Sequence, residues 1–236
     1  MSKWFCLKKK SKKRAKAKSD DTITTTSITP SRSNDTEKLN LTEEHCTDSM
    51  EPYIAAARDC ILQVTNYIKH TNPSIELRVG FCGYRDHSDG HDRLQSLDFT
   101  DQYEQFTTYL QSVLPFGGDD IPEDVLGGLN EAIAKMNWKN GTRVLLHIGD
   151  SPPHGKNFTD LADSCPKGDP YGLTAKNVLK KMQSKNILYF FGKITDETDK
   201  MLEIFRGIIG EFPAYLESIY KAVPNYLKNF RLNIRQ

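Results

Sequence analysis

The chain has 236 residues, of which 37% are hydrophobic and 27% charged, with a formal net charge of +1. That is room for one soluble domain of about 200 residues plus a tail, neither acidic nor basic as a whole. No apolar run approaches the roughly 18 residues of a membrane span, and Trp4-Phe-Cys-Leu7 is too short for the apolar core of a signal peptide.

Residues 1–44 read as a disordered tail. Residues 8–18 hold eight Lys or Arg and no acid, and a polar Ser/Thr-rich stretch without apolar period follows. Such a composition buries too little surface to offset the entropy of ordering. The tail has three readings, which stay open: a nuclear-localisation or nucleic-acid patch, the latter disfavoured; a membrane-surface anchor with Cys6 as a palmitoylation site; or a solvated tail with no specific partner. The five cysteines are odd in number and lack a Cys-x-x-Cys pair. Reduced thiols in a cytoplasmic setting are therefore expected.

The domain proper is expected over 45–236. Ile54, Ala57, Ile61, Val64 and Ile68 predict an amphipathic helix over about 50–69, with Asp48 and Glu51 as a capping box. Residues 77–84 alternate as a strand, and 94–99 as a weaker one. A helix follows over 101–113. Asp120 is expected to cap a second long helix, with Pro122 in its first turn. Buried strands are predicted over 144–149 and 187–191, with a helix over 172–184 between them and another from Asp196. Strands alternating with helices predict a doubly wound α/β fold: a mostly parallel sheet with helices on both faces.

Three runs look as if they fold to one point: His45-Cys-Thr-Asp-Ser49, Gly117-Gly-Asp-Asp-Ile-Pro-Glu-Asp124 and Ile148-Gly-Asp-Ser-Pro-Pro-His-Gly155. In open α/β sheets ligands sit beyond the carboxyl ends of the strands, where Asp150 falls. With Val79-Gly-Phe-Cys-Gly-Tyr-Arg-Asp-His87, these runs resemble the von Willebrand factor A domain, most closely the version attached to alpha-type protein kinases of slime moulds. The resemblance covers residues 45 to about 210. It implies a protein-binding module with a metal-ion-dependent adhesion site. The family's ion contacts fall on Thr47, Ser49, Asp120 and Asp150, and the position of its leading aspartate falls on His45.

Two hydroxyls and two carboxylates are oxygen ligands suited to Mg²⁺, whereas histidine suits a hard cation poorly. Weak Mg²⁺ binding is therefore expected, with an acidic side chain of a protein partner completing the shell. The plainer readings stand beside this one: Thr47, Ser49 and Asp120 as helix-capping residues, Asp150 as a polar loop residue. The family's central strand precedes the first run. Here Lys38-Leu-Asn-Leu-Thr-Glu-Glu44 is too polar for a buried strand, so that strand is expected to be missing or poorly formed.

His87, His91 and His154 read as loop histidines, His147 as a packed core residue. No spaced His/Cys/Asp trio suggests zinc. No catalytic residues are assigned, because there is no nucleophile elbow, no phosphate-binding loop with Lys and no kinase signature. A non-catalytic module without a small-molecule substrate is expected. The competing class is an enzyme fragment: a regulatory portion related to alpha-type kinases, or a hydrolase using Asp150.

Overall fold

The computed structural model describes Ser2–Phe5, positions 59, 62, 63, 65, 66, 69 and 70, and residues 76–215. Six strands form one sheet in the order β3-β2-β1-β4-β5-β6. They are β1 (Ser2–Phe5), β2 (Val79–Tyr84), β3 (Leu94–Thr100), β4 (Arg143–Gly149), β5 (Ile187–Lys193) and β6 (Ala214–Tyr215). The helices are α1 (Tyr103–Ser112), α2 (Val125–Asn130), α3 (Ala175–Ser184) and α4 (Asp199–Ile209). Positions 59, 62, 63, 65, 66, 69 and 70 are helical, in keeping with the first predicted helix.

The sheet is mixed, a correction to the mostly parallel sheet expected. β4 pairs β5 and β5 pairs β6 in parallel, but β1 is antiparallel to both its neighbours and β3 is antiparallel to β2. The reason is β1. Its four residues, assigned above to the tail, take the central slot between β2 and β4. Two buried strands side by side need partners for their backbone groups, and β1 supplies both ladders. The rest of the tail, and the boundary at residue 45, lie outside the described residues. Because β1 opposes both β2 and β4, those two strands point the same way, as do β5 and β6. Their carboxyl ends share one edge of the sheet.

Side chains alternate across β2. Phe81 meets the edge of Tyr109 on α1, ring centroids 5.4 Å apart. Cys82 faces the other way, its Sγ 3.7 Å from the Gly128 carbonyl on α2. Helices thus cover both faces. The main core joins Cys82, Leu129, Leu145, Leu179, Phe191 and Phe205, gathered from β2, α2, β4, α3, β5 and α4. His147 lies fully buried in β4, as expected. Its Nε2 is 2.8 Å from the Tyr84 hydroxyl and its Nδ1 2.7 Å from that of Tyr189. Burial holds its pKa well below the ordinary histidine range.

The cap of α2 differs from expectation. Asp124, not Asp120, is its N-cap, accepting the Gly127 N–H at 2.8 Å. Pro122 precedes the helix, in a segment whose Glu123 bridges to Pro153. A Cβ on Gly127 would lie 2.2 Å from Asp124 Oδ2, so a side chain there would displace the capping carboxylate. The helix closes with a π turn over Glu131–Lys135.

Candidate functional site

Three loops meet beyond the carboxyl ends of β2 and β4. The first carries Arg85, Asp86 and His87 directly after β2. The second is the Gly117–Asp124 approach to α2. The third is the excursion from Asp150 to Thr174, longer than most connections between elements. Backbone hydrogen bonds tie them together: Asp124 N–H donates to the Arg85 carbonyl and Glu123 N–H to that of Pro152, both at 3.0 Å. Arg85, fully buried, stacks 3.5 Å over the Phe116 ring and donates to the carbonyls of Phe116, Leu114 and Asp92. It staples the glycine turn to the end of β2. Gly155 has φ +115°, and a Cβ there would come within 3.1 Å of Gly168 Cα. That close approach pins the two ends of the third loop.

Two histidines stack at the centre, ring centroids 5.0 Å apart at 30°. His154 is locked. Its Nε2 is 2.9 Å from Asp86 Oδ1 and its Nδ1 2.7 Å from Asp163 Oδ1, all three side chains buried. Burial opposes a charge on the ring, but the hydrogen bonds and charges of Asp86 and Asp163 outweigh it and raise its pKa to about 9. Burial likewise opposes ionisation of Asp86 and Asp163, and His154 with the backbone donors overcomes it, leaving both below the usual carboxylate range. The unit is an imidazolium between two carboxylates.

His87 is the opposite. Its Nδ1 lies 3.7 Å from Asp124 Oδ2 and its Nε2 3.6 Å from Asp169 Oδ2, beyond hydrogen-bond length. Burial, then the charge on His154, lowers its pKa to about 4 despite the nearby acids, so the ring is neutral. Asp124 is pushed up to about 7 by burial, although Arg93 donates to its Oδ2 at 3.0 Å.

The sequence-predicted site residues divide. Asp120 joins the cluster: its carboxylate lies within 4.8 Å of ligand atoms of Asp86 and His154. Its Oδ2 accepts the Ser164 N–H at 2.5 Å, while Oδ1 is buried without a hydrogen-bond partner. Asp150 follows β4 at the same edge of the sheet, with Ser151 donating to its carboxylate at 3.2 Å and Thr195 to its carbonyl. It belongs to neither acidic cluster among the described residues. His45, Thr47, Ser49 and Cys6 lie outside the described residues. His154 lies in a loop and His87 opens the turn between β2 and β3, in keeping with the reading of both as loop histidines, and both rings sit against carboxylates. Either group, Asp86–Asp120–His154 or His87–Asp124–Asp169, could hold a metal ion. No linear spacing could have revealed the second trio, because its members come from three loops.

No family model matches the chain. Over 162 residues it is 36% identical to the alpha-protein kinase vwkA of Dictyostelium discoideum, an alignment covering 68% of this chain and 26% of that protein. The chain therefore spans about a quarter of that relative's length.

Proposed function

We propose that this chain is a non-catalytic protein-interaction module of the von Willebrand A type, with an altered ion site that binds Mg²⁺ weakly. The observation that carries this reading is the grouping of Asp86 and Asp120 with His154 beyond the carboxyl end of β2, with Asp150 following β4 at the same edge of the sheet, where an α/β sheet places its ligands. The residues fit a hard cation in part. Asp120 Oδ1 is an orphaned buried oxygen that a cation would satisfy. Asp150 would add a second carboxylate, and Thr47 and Ser49 hydroxyls. Bound Mg²⁺ would supply an open coordination position for an acidic side chain of the partner. Two features weaken the site. His45 stands where the family has a carboxylate, and the His154 imidazolium already neutralises part of the acidic charge. Around the site Leu114, Phe116 and Ile121 are 66, 39 and 46% exposed, apolar surface suited to a protein partner.

Isothermal titration with Mg²⁺ and Mn²⁺ tests the ion site. Weak binding is expected, tightening by about tenfold or more in His45→Asp as a charge and an oxygen ligand return. Equal affinities would place residue 45 outside the coordination shell. Binding by neither protein would leave a metal-free interaction surface. Arrays of glutamate-bearing peptides, probed with and without chelator, test the partner chemistry. A second reading, favoured by the 36% identity to an alpha-protein kinase, is a regulatory portion related to such kinases. Phosphotransfer from ATP by the purified chain, abolished in Asp150→Asn, would overturn the non-catalytic reading.

A further inference from the structure

We infer that His87, Asp124 and Asp169 form a second cation site, separate from the one around Asp120 and Asp150, that takes a borderline metal of the zinc class. The first observation is a polar ring with no hydrogen bond. The His87 side chain is only 9% exposed, and among the described residues its ring makes no hydrogen bond, Nδ1 being buried and unsatisfied. Groups of this kind are rare without a reason.

The second is the arrangement of the carboxylates. Asp169 Oδ1 is fixed by the N–H groups of Tyr171 and Leu173, both at 2.9 Å. That leaves Oδ2, also buried and unsatisfied, facing His87 Nε2 at 3.6 Å. Asp124 divides its oxygens the same way, Oδ1 to the Gly127 N–H and Oδ2 turned towards His87 and Arg93. Each acid spends one oxygen on its own loop and presents the other to the ring, Asp124 on the Nδ1 side and Asp169 on the Nε2 side.

The third is distance. Zinc bonds imidazole nitrogen and carboxylate oxygen at about 2.0–2.2 Å in a tetrahedron, so two of its ligand atoms lie roughly 3.3–3.6 Å apart. The 3.6 Å between His87 Nε2 and Asp169 Oδ2 is too long for a hydrogen bond and right for a shared ion. Asp124 Oδ2 lies 3.7 Å from the other ring nitrogen, Nδ1, and one ligand atom from each of the three residues lies within 4.8 Å of the others, so an ion on one ring nitrogen would draw in the second carboxylate. One imidazole with two carboxylates suits zinc better than Mg²⁺, which prefers oxygen alone. A water would complete the tetrahedron. Arg93 on Asp124 and the Asp86–His154–Asp163 unit behind the ring would hold the ligands in place. The ion would clip the β2–β3 loop, the cap of α2 and the long loop after β4 to one another.

Chelator-stripped protein titrated with Zn²⁺ alone tests this. One equivalent should bind, and the melting temperature should rise by roughly 5–10 °C at a hundredfold excess over Kd. Co²⁺ should give the visible absorption of a tetrahedral site in the wild-type protein, a readout that needs no variant. Asp169→Asn and His87→Gln should each weaken Zn²⁺ binding by at least about tenfold, while Asp120→Ala keeps it. No stoichiometric Zn²⁺ or Co²⁺ binding by the wild type overturns the inference. So does binding that survives both ligand variants, or that is lost only in Asp120→Ala, which would assign the ion to the other site.

Discussion

His154 and His87 stack face to face, yet their surroundings put them in opposite states. His154 has a carboxylate within 2.9 Å on each side and is charged; His87 has carboxylates at 3.6 and 3.7 Å and is neutral. Both are buried, so desolvation acts against charge on both. Geometry decides which wins. Hydrogen-bonded contact to two acids overcomes desolvation at His154. A gap of less than one ångström beyond hydrogen-bond length lets desolvation and the neighbouring imidazolium prevail at His87.

Truncation should separate the two most strongly. His154→Ala strands the buried Asp86 carboxylate and is expected to cost about 3–5 kcal/mol in urea unfolding. His87→Ala, measured in chelator, removes a ring that makes no hydrogen bond and is expected to cost only about 1 kcal/mol. Equal losses would break the contrast.

The pH dependence sharpens it, because the two rings act in opposite directions. His154 has a folded-state pKa of about 9 against 6.5 unfolded. The folded state binds the proton more tightly, so its contribution is complete below pH 6.5 and is lost as pH rises through about 9. A shift of that size corresponds to about 3 kcal/mol. His87 falls from 6.5 to about 4, so its contribution is complete above pH 6.5 and is lost as pH falls towards 4. Stability of His154→Gln relative to wild type, measured from pH 5 to pH 10, should show a deficit that shrinks through about 9. The His87→Gln difference should be flat there and change only on the acid side.

His147 offers a third environment, neutral like His87 but hydrogen-bonded through both nitrogens. His147→Leu would leave the Tyr84 and Tyr189 hydroxyls short of a buried partner, for a loss of about 1–3 kcal/mol by thermal or urea unfolding. The smallest effect belongs to the surface. Lys200 reaches Asp160 at 3.1 Å, but that aspartate side chain is 90% exposed. Lys200→Ala should change stability by no more than about 0.5 kcal/mol, and less in high salt.

The strand–helix alternation, the buried runs of β4 and β5, and the burial of His147 were legible in the sequence, because period and apolar runs are local properties of the chain. So were the positions of Asp120 before α2 and of Asp150 directly after β4, since junctions between elements fall where the pattern changes. The state of each side chain at those junctions was not. Asp120 and Asp124 are equally plausible caps on paper. Only the approach of Gly127 to Asp124, and of Ser164 to Asp120, assigned them. The strand between β2 and β4 comes from residues that compose a polar, basic terminus and were set aside as tail. Their place depends on two distant strands needing backbone partners. His87, Asp124 and Asp169 lie on separate loops, and one ring locked while its neighbour stays neutral is a difference of less than one ångström. Local pattern determined the elements. Long-range packing decided which groups meet, and at what distance, and so their charge.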